Sequence, residues 1–206
     1  MSLAEAGKPV VAAFDFDGTL TRRDTLLPFL RETAGVATWL RNLLSLLPML
    51  LTYALGMIAN DVAKQRLLAR FFAGMRIDQL QAEAERFAVQ TVPKLIRPAA
   101  LRRLAWHQQQ GHRCVVISAS LDIYVRPWAL QAGFEEVIAS HLEVLADGRV
   151  TGKLSGGNCF AAEKVQRFRA LFPDRDNYTL YAYGDSRGDR ELLADADFAF
   201  YRHMPD

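Results

Sequence analysis

The chain has 206 residues, 50% of them hydrophobic and 23% charged, and its 25 Lys+Arg against 23 Asp+Glu leave a net charge of +2. That length fits one domain, or one domain with a sizeable insertion, and buries enough core to fold without disulfides or a structural metal. The near-neutral balance argues against a protein that binds nucleic acid by neutralising its phosphates, and the composition excludes disordered, collagenous and disulfide-rich secreted classes.

Read from the amino terminus, the first ten residues lack the basic start and long apolar run of a secretory signal. Residues 10–16 (VVAAFDF) then read as a buried parallel strand that ends in acidic residues. Residues 21–94 contain only helical patterns, such as 61–72 and 78–89, with Asp78 as the expected N-cap of the second. Beyond them, strands at 113–118, 137–139, 179–183 and 198–201 alternate with helices at 98–110, 123–132, 161–171 and 187–194. Ala146-Asp147-Gly148-Arg149 reads as a hairpin turn between HLEVL and VTGKL. The alternation predicts an α/β fold, a parallel sheet with helices on both faces. Its core is expected over 1–20 and 95–206, with 21–94 as an all-helical insertion after the first strand. Cys114 and Cys159 form no CxxC pair, which suits a reducing cytosol and a cytoplasmic location.

Four clues to chemistry occur in order. Asp15-Phe16-Asp17-Gly18-Thr19 follows the first strand, Ser118 ends the second, Lys164 lies near the start of a helix, and Gly184-Asp185-Ser186-Arg187-Gly188-Asp189 follows a later strand. Open α/β sheets bind ligands at the carboxyl ends of such strands. Asp15, Asp17 and Asp185 offer the hard oxygens that Mg²⁺ prefers. With its charge repulsion relieved by a metal, by Lys164 and by the Ser118 hydroxyl, Asp15 can attack phosphorus. Asp17 is then suited to protonate the leaving alcohol and to activate water. Taken singly, each clue has a plainer reading: a turn, a strand-end hydroxyl, a solvated lysine, a helix cap. Four in this order favour the chemical one.

The sequence resembles the haloacid dehalogenase superfamily of phosphohydrolases, in the subclass (IB) that includes phosphoserine phosphatase. Its pattern is DxDxT, then Ser/Thr after a strand, then Lys, then GDxxxD, and all four are present across essentially the whole chain. The resemblance implies a Rossmann-like sheet of order 3-2-1-4-5 with residues 21–94 as a helical cap. It implies Asp15 as nucleophile and Asp17 as acid/base, with Thr19, Ser118 and Lys164 as phosphate binders. It also implies Mg²⁺ held by Asp15, Asp17 through its carbonyl, and Asp185, with Asp189 bracing the metal site or Lys164. His107, His112, His141 and His203 are scattered and form no ligand spacing, and Cys159 reads as a small buried residue.

For the substrate, a phosphorylated small molecule and a lipid headgroup both remain open. Where phosphoserine phosphatases have DxDST and then a Glu that recognises the amine, this chain has Gly18 and Asp24, and their SGGF is Ser118-Ala119-Ser120-Leu121 here. These departures weigh against phosphoserine. Residues 42–60 contain no charge, although Pro48 and Gly56 interrupt the run. The phosphatidylglycerophosphatase C members of the subclass carry a similar apolar segment in the cap. Residues 21–94 hold ten Lys/Arg against six Asp/Glu, and Arg22, Arg23, Arg31, Arg41, Lys64, Arg66 and Arg70 flank the run, as cations facing anionic headgroups would. The run is therefore read as buried cap or homodimer core, as peripheral membrane contact, or as a true span. A catalytically idle metal-binding scaffold is the reading from another class.

Overall fold

A computed structural model of the chain describes residues 8–205, so most of the stretch read above for a leader lies outside it. Strands β1 (Val10–Phe14), β2 (Arg113–Leu121), β3 (Glu136–Val144), β4 (Val150–Ser155), β5 (Thr179–Gly184) and β6 (Phe198–Tyr201) form one sheet in the order β4-β3-β2-β1-β5-β6. All pairings are parallel except β3–β4. The five parallel strands therefore follow the expected order, and the hairpin at 146–149 adds an antiparallel edge. β3 is longer than the three residues read from the sequence because it runs on into that hairpin.

Alternation along β1 explains the two-sided core. Ala12 and Phe14 face a cluster with Ala100 and Leu104 of α6 (Pro98–Gln109) and Tyr124 and Trp128 of α7 (Asp122–Gln131). Val11 and Ala13 face the other way, onto Phe168 of α8 (Ala162–Leu171) and Leu192 of α9 (Arg190–Asp195). With both faces covered, β1 has no need of polar residues until it emerges at Asp15.

Between β1 and β2 the chain forms α1 (Leu26–Ala34), α2 (Val36–Ala54), α3 (Asn60–Phe72), α4 (Ile77–Gln90) and the short α5 (Val92–Leu95). Phe29 of α1 lies between Phe72, Phe87 and Tyr124, with ring centroids 5.7, 5.2 and 4.8 Å away. The insertion thus shares one apolar cluster with α7. It also rests on the sheet edge through α3: at Gly152 (φ +85°) a Cβ would lie 2.2 Å from the Ala69 Cα, so only glycine admits the helix this closely.

Two local expectations need correction. Asp78 is not the N-cap of α4, which begins one residue earlier. The Ile77 N–H donates to the Gly148 carbonyl of the hairpin, and Asp78 instead pairs with Arg76. Pro48 does not break α2, which runs through it for 19 residues; the helix ends shortly before Gly56, at φ +72°. Among the described residues no helix is long and apolar enough to cross a membrane, which removes the span reading. Nor is the run wholly buried. Trp39, Leu43 and Leu46 pack on the core, while Leu40, Leu44, Leu47 and Leu51 are exposed on the other side of α2.

Candidate active site

Beyond the carboxyl ends of β1, β2 and β5 lies a cavity of about 530 Å³. Its lining includes Asp15, Asp17, Ser118, Lys164 and Asp185, so five of the residues singled out in the sequence meet in one place. Asp15 is fixed by its own backbone, whose N–H donates to the Tyr183 carbonyl at 2.9 Å. One wide turn over Phe16–Leu20 carries Asp17 and Gly18. Gly18 sits at φ +81°, and a Cβ there would fall 2.3 Å from Asp185 Oδ2, so glycine keeps room for that carboxylate. Ser118 stands where the β2–β3 register slips between Ile117 and Leu121, an irregularity that turns side chains out of the ladder.

Lys164 is the electrostatic centre of the floor. Its Nζ donates to Asp15 Oδ1 at 2.5 Å and to Asp189 Oδ1 at 2.6 Å, with all three side chains buried. Burial works against the ammonium, but Asp15 and Asp189 hold its pKa above the ordinary lysine range. Burial pushes Asp15 up to about 7, against the pull of Lys164. Asp189 is buried too, yet Lys164 and the Ser186 donors hold it below the usual carboxylate range. Its Oδ2 accepts from the Ser186 N–H at 2.9 Å and the Ser186 hydroxyl at 2.8 Å.

Asp17 has different surroundings. Its Oδ1 accepts from the Thr25 N–H at 2.8 Å and the Thr25 hydroxyl at 2.7 Å, and its Oδ2 from the Ser120 hydroxyl. Burial, and then the Asp24 charge, push it up to about 6 against those bonds. A carboxyl in that range can both give and take a proton near neutrality.

Asp185 is half-buried and raised by burial and by Asp189, and it receives the Thr19 hydroxyl at 3.4 Å. Carboxylate oxygens of Asp15, Asp185 and Asp189 lie within 4.8 Å of one another, close enough to share a hard cation. Thr19 does not line this cavity; its hydroxyl donates to Asp185. Asp24 does line the cavity, but its Oδ1 accepts from the Leu26 and Leu27 N–H groups at the start of α1.

Residues 12–194 match the haloacid dehalogenase-like hydrolase family. The chain belongs to that family. Protein CicA of Caulobacter vibrioides (strain NA1000 / CB15N) is 37% identical over 195 residues, covering 95% of this chain and 86% of CicA. Among solved structures, a protein with unknown function from Bordetella pertussis Tohama I superposes with a TM-score of 0.78 at 24% identity, over 91% of this chain and 87% of that one. A substrate-bound phosphoserine phosphatase shares the fold, with a TM-score of 0.61 at 16% identity, over 92% and 84%.

The sequence pattern of this hydrolase left several side chains out of the site, among them Lys64 and Asn158. Lys64 of α3, read as a flanking surface cation, lines the cavity; its Nζ donates to the Ala119 carbonyl and to Asn158 Oδ1 at 2.9 Å. Burial draws its pKa down to about 8, against the charges of Asp17 and Asp24. Asn158 in turn donates to Asn60 at 2.9 Å and accepts from Ser140 at 3.1 Å. The one available signal was that Asn60 and Lys64 stand four apart, on one helix face. His107 and His112 are not scattered, since their Nδ1 atoms meet at 2.8 Å on the far side of the core. Cys159 is the buried residue expected, its thiol pushed up to about 11 by burial.

Proposed function

We propose that this hydrolase is a Mg²⁺-dependent phosphomonoesterase that works through an aspartyl-phosphate on Asp15, with residues 21–94 as a cap over the cavity. The observation that carries the reading is the contrast between two carboxylates two residues apart: Asp15 is pinned by Lys164, whereas Asp17 is held by three neutral donors. The oxygens of Asp15 and Asp185, with the Asp17 carbonyl, suit Mg²⁺; Asp185 fits because Thr19, at 3.4 Å, is its carboxylate's one hydrogen-bond donor among the described residues. When bound, Mg²⁺ neutralises charge and polarises the phosphoryl oxygens.

The chain's own groups do the rest. Lys164 occupies Asp15 Oδ1, which leaves Oδ2 to attack phosphorus. As the ester P–O bond breaks, Asp17 gives its proton to the departing oxygen. Asp17 then takes a proton from water as that water attacks phosphorus, and the Asp15–phosphoryl bond breaks to release phosphate. Ser118 and Lys164 balance charge on the phosphoryl group, and Asp189 keeps Lys164 in position.

The insertion contributes Leu26, Leu50, Tyr53 and Leu67 to the lining of the cavity, beside the cations Arg22, Arg23 and Lys64. This supports an ester whose alcohol carries an apolar group, as the headgroup phosphate of a phospholipid does, with α2 touching the membrane surface. Recognition of a phosphoserine amine by Asp24 is less well supported, because one of its oxygens is already engaged by α1. The test is hydrolysis of p-nitrophenyl phosphate with and without Mg²⁺, followed by a comparison of phosphoserine with dispersed phosphatidylglycerophosphate. Asp15→Asn is expected to lower turnover by about 10³-fold or more while the protein stays folded. Near-normal Mg²⁺-dependent turnover in that variant overturns the mechanism, and a preference for phosphoserine overturns the lipid reading.

A further inference from the structure

The peptide joining Ala119 to Ser120 is gripped at both ends. Its carbonyl accepts from Lys64 Nζ, and its N–H donates to Ser118 Oγ at 2.9 Å. A planar peptide cannot turn one end without the other. The β2–β3 ladder is interrupted between Ile117 and Leu121, so regular strand pairing does not set this plane. Because Ser118 Oγ accepts the Ser120 N–H, its own hydrogen is left to donate into the cavity that it lines. The Ser120 hydroxyl, one bond further on, donates to Asp17. Lys64 is itself oriented by Asn158, which Asn60 and Ser140 hold from two sides; Asn60 also donates to the Tyr53 hydroxyl at 2.9 Å.

We propose that Lys64 is a positioning residue: through the Ala119–Ser120 peptide it aims the Ser118 hydroxyl at the substrate's phosphoryl group, and so makes the activity of the core depend on where α3 sits. The proposal rests on the phosphatase reading above. Lys64 is expected to contribute nothing to phosphoryl binding once Ser118 has no hydroxyl. A lysine that only braces the fold, or that touches substrate directly, acts independently of Ser118.

A double-mutant cycle distinguishes these cases. Hydrolysis of p-nitrophenyl phosphate in Mg²⁺ and binding of orthovanadate by calorimetry are measured for wild type, Lys64→Met, Ser118→Ala and the double variant. Thermal melts report whether each one folds. Lys64→Met is expected to lower kcat/KM by about 10²-fold, the size of losing one preorganised donor. In the Ser118→Ala background the same change is expected to cost less than about 2-fold in either readout. Additive losses overturn the proposal. Should Lys64→Met not fold, Lys64→Gln, which keeps an N–H donor on a shorter side chain, enters the same cycle; its loss is expected to be smaller than that of Lys64→Met and again to vanish in the Ser118→Ala background. A wild type that hydrolyses the ester while the cycle is additive condemns only the Lys64 role. A wild type that neither hydrolyses the ester nor binds orthovanadate overturns the phosphatase reading, and the Lys64 role with it.

Discussion

On the cavity floor, Lys164 is 2% exposed and divides its bonds between Asp15 and Asp189, whereas on the outer side of α2 Leu44 and Leu51 stand 69% and 56% exposed. Folding ordinarily works the other way round, since ionised groups are costly to bury and leucines are costly to leave in water. Both departures belong to elements that reach the same cavity, the floor through Lys164 and α2 through Leu50 and Tyr53. The floor accepts the burial of charge because Lys164 bonds to both carboxylates at once, which holds Asp15 in place for attack on phosphorus. The outer side of α2 keeps apolar area that the monomer does not use, as surfaces that meet a membrane or a partner do.

The largest effect on stability is expected from breaking the floor. Lys164→Met leaves two buried carboxylates facing each other without a cation, a loss of about 3–5 kcal/mol by the usual cost of orphaning a buried charge. Urea unfolding at neutral pH measures it. A loss well under 1 kcal/mol means that the Asp15–Lys164–Asp189 group is solvated, and the contrast with α2 disappears.

The floor could be read in the sequence because parallel strands end where their apolar runs end, and the topology of the fold brings those ends together. Asp15, Ser118 and Asp185 each follow such a run. Lys64 could not be read in this way. A lysine on an amphipathic helix ordinarily lies in water, and its partners here are a backbone carbonyl and an amide, 55 and 94 residues away. Asp78 misled for a related reason: a tertiary bond from Ile77 to Gly148 starts the helix, where a local cap was expected. For α2, periodicity shows which leucines share a side but not whether that side finds a partner.

An intermediate effect is expected behind the sheet, where a titratable group is buried without a countercharge. His107 accepts or shares protons with Tyr183 at 2.8 Å and His112 at 2.8 Å, and burial, then Arg103 and His112, pull its pKa down to about 3. The folded value lies below the unfolded one of about 6.5, so the unfolded chain takes up a proton that the folded chain refuses. Stability is therefore full above about pH 6.5 and falls as the pH drops toward 3, by about 2 kcal/mol at pH 5 from this group alone. His107→Gln is expected to flatten that part of the curve in urea unfolding at pH 7 and pH 5. An unchanged slope means that His107 protonates in place, and that the back of the sheet tolerates charge as the floor does.

The smallest effect on stability, and the most informative about α2, is expected from replacing its exposed leucines. Leu44→Asp with Leu51→Asp adds charge where the monomer packs nothing, so each change is expected to stay within about 0.5 kcal/mol. Leu46 and Leu50 are unsuitable for this purpose, since Leu46 packs on the core and Leu50 lines the cavity. If α2 meets a membrane, the wild type sediments with anionic vesicles at low salt. Each basic residue close to such a surface is worth about 1 kcal/mol, and Arg41 lies on α2 while Arg70 donates to its Ser45, so rising salt releases the protein. The double substitution then abolishes sedimentation while p-nitrophenyl phosphate turnover is retained, because neither leucine lines the cavity. The spacing of Leu40, Leu44, Leu47 and Leu51 is also that of a helix–helix seam. A wild type that ignores vesicles but sediments as a dimer, dissociated by the same two substitutions, assigns this side of α2 to a second copy and ends the membrane reading.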